Sequence, residues 1–209
     1  MSFTQDEQRD SLSPAGMDKD PVKQFSCWFD EAEQANIPLY NAMTLATSNH
    51  MGKPSARIVL LKEIDAGGFI FYTNYGSRKA RDLEGNPFAS LVFCWLPLSR
   101  QVRVEGKVER VTTDESDLYF ASRPRGYQVA AHASSQSHII EDRDVLDRNY
   151  AEAAQKFAGQ AVPRPAHWGG FRVLPESLEF WQEGEHRLHD RLRYRRDSAG
   201  CWVIERLAP

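Results

Sequence analysis

The sequence predicts a mainly β protein with peripheral helices, an α+β domain whose strands close or partly close into a barrel. Three observations predict it. Short apolar runs separated by Asn, Asp and Gly turns follow one another over residues 42–73. Residues 101–109 alternate strictly, with Val102, Val104 and Val108 facing one way and Gln101, Arg103 and Glu105 the other. Strand-like runs then return at 171–181, 188–195 and 202–206 after helical stretches.

Residues 1–19 are polar, lack an apolar period and read as a mobile N-terminal arm, which leaves 20–209 as a single domain. Asp20-Pro21 supplies an N-cap and a proline at the first helical position. Val22, Phe25, Trp28 and Phe29 recur at helical spacing, so a helix runs from there and stops before Ile37-Pro38. A β-meander follows, with strands over 42–47, 55–62 and 68–73 and turns at 49–52 and 65–68. A helix over 77–84 takes Ser77 as N-cap. The nearly all-apolar run 88–95 predicts a strand buried on both faces. Thr112 and Glu115 have capping-box spacing, opening a helix over 113–122 that Pro124 ends; a further helix spans 142–157.

Composition excludes several classes. With 41% hydrophobic and 26% charged residues and a net charge of −3, the chain has an ordinary globular balance and no general nucleic-acid footprint. No window approaches the roughly 18 apolar residues of a membrane span, and no basic-then-apolar leader is present, so a cytoplasmic protein without membrane contact is expected. Cys27, Cys94 and Cys201 are far apart and form no C-x-x-C pair, which predicts buried reduced thiols and no metal site.

Cationic clusters are the candidate chemistry. If the chain is extended after Gly184, Arg187, His189 and Arg191 share one face, a row that calls for a bound anion or reads as a solvated basic strand; Arg193 and Arg195, at the same parity, face solvent. Arg78 and Lys79 sit in the first turn of the helix at Ser77, against the helix dipole, which suits a phosphate at that N-terminus or two side chains in water. Arg57 and Lys62 are five apart, so a regular strand sends them to opposite faces, flanking a flat ligand or snorkelling from a core strand. Tyr119 and Arg123 are four apart, spaced for a phosphate clamp or a surface pair. Trp181 offers a stacking surface or plain core.

Several ordered motifs carry a resemblance. They are Arg57-Ile58-Val59-Leu60-Leu61-Lys62, Phe71-Tyr72-Thr73-Asn74, Gly76-Ser77-Arg78-Lys79-Ala80 and Ser122-Arg123-Pro124-Arg125. His167-Trp168-Gly169-Gly170-Phe171-Arg172, Glu179-Phe180-Trp181-Gln182, Arg187-Leu188-His189-Asp190-Arg191 and Arg206-Leu207-Ala208-Pro209 complete the set. From about residue 20 onward the sequence resembles the FMN-dependent pyridoxine (pyridoxamine) 5′-phosphate oxidase family. The resemblance favours a ligand site and implies a split β-barrel homodimer with two FMN sites at the subunit interface. By the same resemblance, FMN contacts fall on Arg57, Ile58, Val59, Leu60, Leu61 and Lys62, on Tyr72, Thr73, Arg78 and Lys79, and on Gln101, Gln136, Ser137, Trp181 and Arg191. Substrate contacts fall on Lys62, Tyr119, Arg123, Tyr127, Arg187 and His189, of which Arg187 and His189 hold the reacting ring.

The implied reaction is hydride transfer from the C4′ carbon of pyridoxine or pyridoxamine 5′-phosphate to the flavin, giving pyridoxal 5′-phosphate, with O2 reduced to H2O2. Arg191 is a candidate cation for the reduced flavin. No dedicated base is named. Three departures from the family pattern stand out: Tyr127 where a serine usually completes the phosphate pocket, His132 where a tryptophan is common, and an arm with only Arg9 in place of an Arg-Arg-x-Tyr pattern. Tyr127 and His132 motivate a second reading, a split-barrel flavin oxidoreductase with a drifted substrate; a non-catalytic flavin or pyridoxal-phosphate carrier is another, against which the presence of both Arg187 and His189 counts. A barrel binding single-stranded nucleic acid lacks the basic-aromatic stripe it needs.

Overall fold

The computed structural model describes residues 11–65 and 67–209. Among these residues are five α-helices and nine β-strands. In chain order they are α1 (Pro21–Gln34), β1 (Ala42–Ser48), β2 (Pro54–Leu60), β3 (Glu63–Asp65), β4 (Gly68–Asn74), α2 (Arg78–Gly85), β5 (Phe88–Trp95) and β6 (Arg100–Arg110). Then come α3 (Thr113–Ser122), α4 (Arg125–Ala133), α5 (Arg143–Lys156), β7 (Trp168–Gln182), β8 (Asp190–Arg196) and β9 (Trp202–Arg206). Hydrogen-bonded strands run in the order β2-β1-β5-β6-β7-β4-β3, with β8 on β7 and β9 on β8. The mainly β architecture with peripheral helices is the one the sequence predicts.

The chain groups into two compact units. One holds the described residues up to Tyr40 together with Val92–Val104 and Glu176–Pro209. Its core is aromatic, because α1 turns Phe25 and Trp28 inward at i, i+3 spacing. Phe25 packs edge-on to Phe93 at 4.8 Å, Trp28 to Phe180 at 5.1 Å, and Phe180 to Tyr194 at 5.5 Å. Phe25 is fully buried, so Phe25→Ala costs about 3–5 kcal/mol. Asp20 caps α1 as expected, accepting from the Val22 amide at 2.9 Å. β7 pairs antiparallel with β8 (Trp181 opposite Arg191) and β8 with β9.

The second unit comprises Asn41–Leu91 and Glu105–Pro175. β1 pairs antiparallel with β2 (Leu45 opposite Arg57), and β4 pairs with β3 and with β7 (Tyr72 opposite Gly170). Met43, Leu45, Phe69, Phe71 and Leu91 are almost fully buried in this unit. A satellite cluster of Phe120, Val129, Ala153, Phe157, Val162 and Trp168 fastens α3, α4 and α5.

Several expectations change. β5 is not buried on both faces: Ala89, Leu91, Phe93 and Trp95 point inward while Phe88 and Cys94 are exposed. Strand parity alone produces this, since a long apolar run need not have both faces covered by its own chain. The three cysteines are free and exposed. Cys94 takes the outward parity of β5, and Cys201 sits in the β8–β9 turn. The expected strand over 188–195 begins only at Asp190; Glu185–Arg187 forms a 3₁₀ turn in which His186 and Arg187 have φ of 54° and 65°. The short β3 and the whole of α4 were not foreseen.

Of the N-terminal arm, residues 1–10 lie outside the described residues. From residue 12 the chain is tied down: the Leu12 amide donates to Asp190 at 2.9 Å and the Tyr194 hydroxyl to the Asp18 carbonyl at 2.6 Å. Among the described residues no helix is long and apolar enough to cross a membrane, and no group of three His, Cys, Asp or Glu could hold a metal ion.

Candidate active site

The second unit contains a cavity of about 590 Å3 between β2, the end of β4 and the N-terminus of α2. Arg57, Ile58, Val59, Leu60, Lys62, Tyr72, Thr73, Arg78, Lys79, Gln136 and Ser137 line it, together with Ser55 and Ala56. All but one of the FMN positions expected in this unit therefore converge. Leu61 does not join them; its side chain is buried in the core, and its amide donates to the Asn41 carbonyl. The opposite-face expectation for Arg57 and Lys62 fails for a simple reason. β2 ends at Leu60, so strand parity no longer governs Lys62, and both cations reach the same cavity.

Four cations line this cavity and no carboxylate does. Arg57 donates to the Leu45 carbonyl at 3.1 Å, to Thr47 at 2.8 Å and to Ser55 at 2.5 Å, and lies 3.9 Å from Asp82. Asp82 itself accepts from Thr47 and Ser55, both at 2.8 Å. Burial lowers the Arg57 pKa and Asp82 works against that change. Lys79 is buried, its Nζ donating to Thr73 at 3.1 Å, Ser77 at 3.2 Å and Gln136 at 3.2 Å. Burial first, and Arg57 second, bring its pKa down to about 8. Ser77 holds the N-cap position of α2, but its hydroxyl makes no cap hydrogen bond and accepts from Lys79 instead. An uncapped helix N-terminus beside four cations is a donor set suited to a phosphate.

A second cavity of about 620 Å3 adjoins the first and shares Leu60, Lys62, Tyr72, Thr73 and Gln136 with it. Its remaining wall includes Tyr119, Ser122, Arg123, Pro124, Tyr127, Ala131 and Trp168. The capping box forms as predicted: Thr112 accepts from the Glu115 amide at 3.2 Å, and Glu115 accepts from the Thr112 amide at 2.7 Å. α3 thus starts firmly and ends at Arg123, whose backbone turns extended ahead of Pro124. Tyr72, Tyr119 and Trp168 stand nearly parallel, with centroids 3.9 Å apart for the two tyrosines and 5.4 Å for Tyr72 and Trp168. Gly170 makes room for this stack, since a Cβ there would lie 2.8 Å from the Tyr72 ring. Burial pushes the Tyr72 phenol up to about 12, so it stays a hydroxyl.

Arg123 lies over Trp168, its guanidinium carbon 4.6 Å from the ring centroid. Burial lowers its pKa, with the neighbouring Tyr119 and Tyr127 opposing that change. Its Nη1 is buried and has no hydrogen-bond partner. A buried guanidinium donor without a partner is costly unless a ligand satisfies it. Tyr127 is 62% exposed at the cavity rim, 5.9 Å from Arg123. His132 is well packed, its ring 4.7 Å from Phe157 and its Nε2 2.7 Å from the Pro163 carbonyl.

Five expected site residues belong to the first unit. Arg191 donates to both oxygens of the buried Glu179 at 3.0 Å and to the Ala208 carbonyl at 2.8 Å, and the hydrogen bonds it gives to Glu179 raise its pKa. Its charge is thereby countered within the chain. His189 lies 4.7 Å from Trp181, ring to ring, and Gly184 donates its amide to the His189 Nδ1 at 3.2 Å. Arg187 is exposed on the 3₁₀ turn and Gln101 is half-buried on β6. The predicted row of Arg187, His189 and Arg191 on one strand face does not form, because only Arg191 lies within β8. Arg193 and Arg195, expected to face solvent, both bind Glu205 at 2.7 Å. Hydrogen bonds from Arg195 and then Arg193 bring Glu205 to about 2.

Known proteins match over most of the chain. Residues 29–157 match the family described as pyridoxamine 5′-phosphate oxidase, and 168–209 match the pyridoxine 5′-phosphate oxidase C-terminal dimerisation region. The chain belongs to this oxidase family. A pyridoxine/pyridoxamine 5′-phosphate oxidase of Cupriavidus necator is 56% identical over 199 residues, covering 95% of this chain and 93% of the relative. One from Salinibacter ruber is 55% identical over 203 residues, covering 96% and 94%. Among solved structures, PhzG from Burkholderia lata, in complex with tetrahydrophenazine-1-carboxylic acid, superposes with a TM-score of 0.89 at 32% identity, covering 96% of this chain and 98% of that one. A pyridoxamine 5′-phosphate oxidase-related, FMN-binding protein from Nostoc punctiforme shares the fold, with a TM-score of 0.73 at 13% identity over 92% and 100% of the two chains.

Membership of the oxidase family agrees with the resemblance read from the motifs. Sequence reasoning missed Asp82 and Glu179, the buried carboxylates that orient Arg57 and Arg191, and gave Trp168 no role. Glu179 carried a usable signal, since its two-residue spacing from Trp181 places both on one face of β7. Asp82 carried none, because its partners on β1 and β2 are more than 25 residues away in sequence.

Proposed function

We propose that this oxidase-family chain converts pyridoxamine 5′-phosphate or pyridoxine 5′-phosphate to pyridoxal 5′-phosphate with FMN as cofactor and O2 as acceptor. It would act as a cytoplasmic homodimer with two FMN sites at the subunit interface. The observation that carries this reading is the pair of adjoining cavities that share five wall residues. One is lined by four cations and no carboxylate; the other contains a buried arginine nitrogen with no partner. Two phosphorylated ligands in contact would use both.

In this reading Arg78, Lys79 and the N-terminus of α2 receive the FMN phosphate, and Arg57 is pre-oriented by Asp82, Thr47 and Ser55. When bound, FMN supplies the hydride acceptor and returns electrons to O2. Lys62, Tyr119 and Arg123 hold the substrate phosphate, with Arg123 filling its unmet donor. Arg187 and His189 hold the pyridine ring, while the stack of Tyr72, Tyr119 and Trp168 gives the second cavity a flat aromatic wall. The amine reaction consumes O2 and water and releases the aldehyde, ammonia and H2O2; the alcohol reaction consumes O2 and releases the aldehyde and H2O2. A visible spectrum of the purified protein tests this, followed by pyridoxamine 5′-phosphate without oxygen. A flavin band that bleaches is expected, and a flavin-loaded protein that neither bleaches nor makes peroxide in air overturns the reading in favour of a carrier.

One observation favours a second reading, a flavin oxidoreductase with a different substrate. Tyr127 stands at the rim of the second cavity beside Arg123, and PhzG, a close structural neighbour, was solved with a tricyclic carboxylic acid. If Tyr127 crowds a phosphate, Tyr127→Ser tightens binding of pyridoxal 5′-phosphate. Tighter binding by the variant, with wild-type oxygen uptake faster on another reductant than on pyridoxamine 5′-phosphate, supports the second reading, and unchanged or weaker binding removes Tyr127 as its ground.

A further inference from the structure

The turn before β8 controls which nitrogen of His189 carries a proton. A backbone amide only donates, so the bond from Gly184 to His189 Nδ1 at 3.2 Å requires a lone pair on Nδ1. In the neutral ring the proton then sits on Nε2. A proton placed on Nδ1 would face the amide proton across the same gap.

The turn is built to hold this geometry. The Leu188 amide donates to the Glu185 carbonyl at 2.9 Å, and His186 and Arg187 adopt left-handed φ of 54° and 65°, which is unfavourable for side chains of this kind. At its base the chain returns so close to Gly184 that a Cβ there would lie 2.2 Å from the Leu188 carbonyl oxygen. A side chain at 184 must open the turn and withdraw the amide from the imidazole. Trp181 limits the ring from another side, with its centroid 4.7 Å away.

We infer that Gly184 is a positioning residue that fixes His189 as the Nε2–H tautomer, so that His189 meets the substrate as a hydrogen-bond donor and not as a proton acceptor. The ligand atom it suits is an oxygen with a free lone pair, such as the ring oxygen of a 3-hydroxypyridine in its anionic form. The substrate part of this inference rests on the function proposed above; the tautomer does not.

Long-range 1H–15N spectra of protein labelled with ring-15N histidine test it, the His189 signals being assigned from their loss in His189→Gln. In the wild type, Nδ1 should show the shift of a bare nitrogen and Nε2 that of an N–H. A protonated Nδ1, or averaging between tautomers, overturns the assignment whether or not the protein oxidises any substrate. His189→Gln keeps a donor near the Nε2 position, whereas His189→Asn places its amide near Nδ1. The glutamine variant should retain substrate affinity roughly tenfold better, the scale of one hydrogen bond, and equal or reversed affinities overturn the donor role. Gly184→Ala should mix the tautomers and raise KM with FMN content unchanged, while an unaltered spectrum and KM remove Gly184 from the mechanism. Should that variant not fold, the wild-type spectrum still decides the tautomer. Absence of pyridoxal 5′-phosphate formation by the wild type would count against the proposed function and leave the tautomer result standing.

Discussion

At the scale of single residues, Lys79 and Arg123 are two cations held away from water, and they predict opposite kinds of sensitivity. The Lys79 pKa of about 8 lies below its ordinary 10.5, so between those values the unfolded chain holds a proton that the folded one has released. Stability of the cofactor-free protein should therefore rise with pH across that window. Affinity for FMN should move the other way, falling about tenfold or more as the ammonium is neutralised, on the scale of one charge-assisted hydrogen bond. Flavin fluorescence titrations either side of pH ~8 check this, and Lys79→Met should bind weakly with no such step. Arg123→Met removes a buried donor without a partner, so the free protein should lose little stability. KM for the phosphorylated substrate should rise by about tenfold to a hundredfold with FMN content retained, as expected for loss of a charged hydrogen bond. Thermal melts and steady-state kinetics separate the two effects. The sequence showed that Lys79 breaks a local rule by opposing the helix dipole. It could not show that Ser77 gives its hydroxyl to Lys79 rather than to the helix, because that exchange depends on Gln136 and Thr73 arriving from elsewhere in the chain.

At the scale of elements, α3 carries Tyr119 and Arg123, and a charged cluster fastens its start. Arg172 on β7 donates to Asp65 and to Glu115, each at 2.6 Å, and lies 3.4 Å from Glu109. Burial alone would raise Asp65, but hydrogen bonds from Arg172 and from the amides of Gly67 and Gly68 outweigh it and hold the carboxyl low. Glu115 is held low by the Thr112 hydroxyl and amide and then by Arg172. Carboxyls held low stabilise the fold above their ordinary range, and that stability is lost as pH falls through the folded values. Arg172→Met should cost about 1–2 kcal/mol near neutral pH, less than a fully buried pair because the carboxylates are partly exposed. It should also flatten the acid limb of a melting-temperature profile; a profile parallel to wild type would show that the cluster does not act this way. Helix starts governed by local chemistry, at Asp20, Thr112 and Asp142, were readable in advance. α4 was not, because Pro124 reads as the end of one helix and conceals that it also opens the next. The turn at Glu185–Arg187 was hidden for a different reason: two non-glycine residues there take left-handed backbone that no residue type announces.

At the scale of the molecule, the expected site residues divide between the two units, with the cavities built wholly in one and Gln101, Trp181, Arg187, His189 and Arg191 in the other. The family's C-terminal dimerisation region covers four of those five. If each site is shared between copies, Arg123→Ala and Arg187→Ala subunits, each nearly inactive alone, should recover activity when mixed and reassembled. Random pairing predicts roughly a quarter of wild-type activity, since half the dimers are mixed and each has one intact site. No recovery would mean that each chain completes its own site. The two cavities share Leu60, Lys62, Tyr72, Thr73 and Gln136, and any two ligands that lean on one wall are thermodynamically linked. Whatever factor FMN adds to the affinity for a B6 phosphate, that phosphate must return to the affinity for FMN. On the proposed function, flavin fluorescence lost during dialysis with and without pyridoxal 5′-phosphate reads the sign of that link: slower loss with the aldehyde means that the product guards the cofactor, and faster loss means that the two compete for the shared wall.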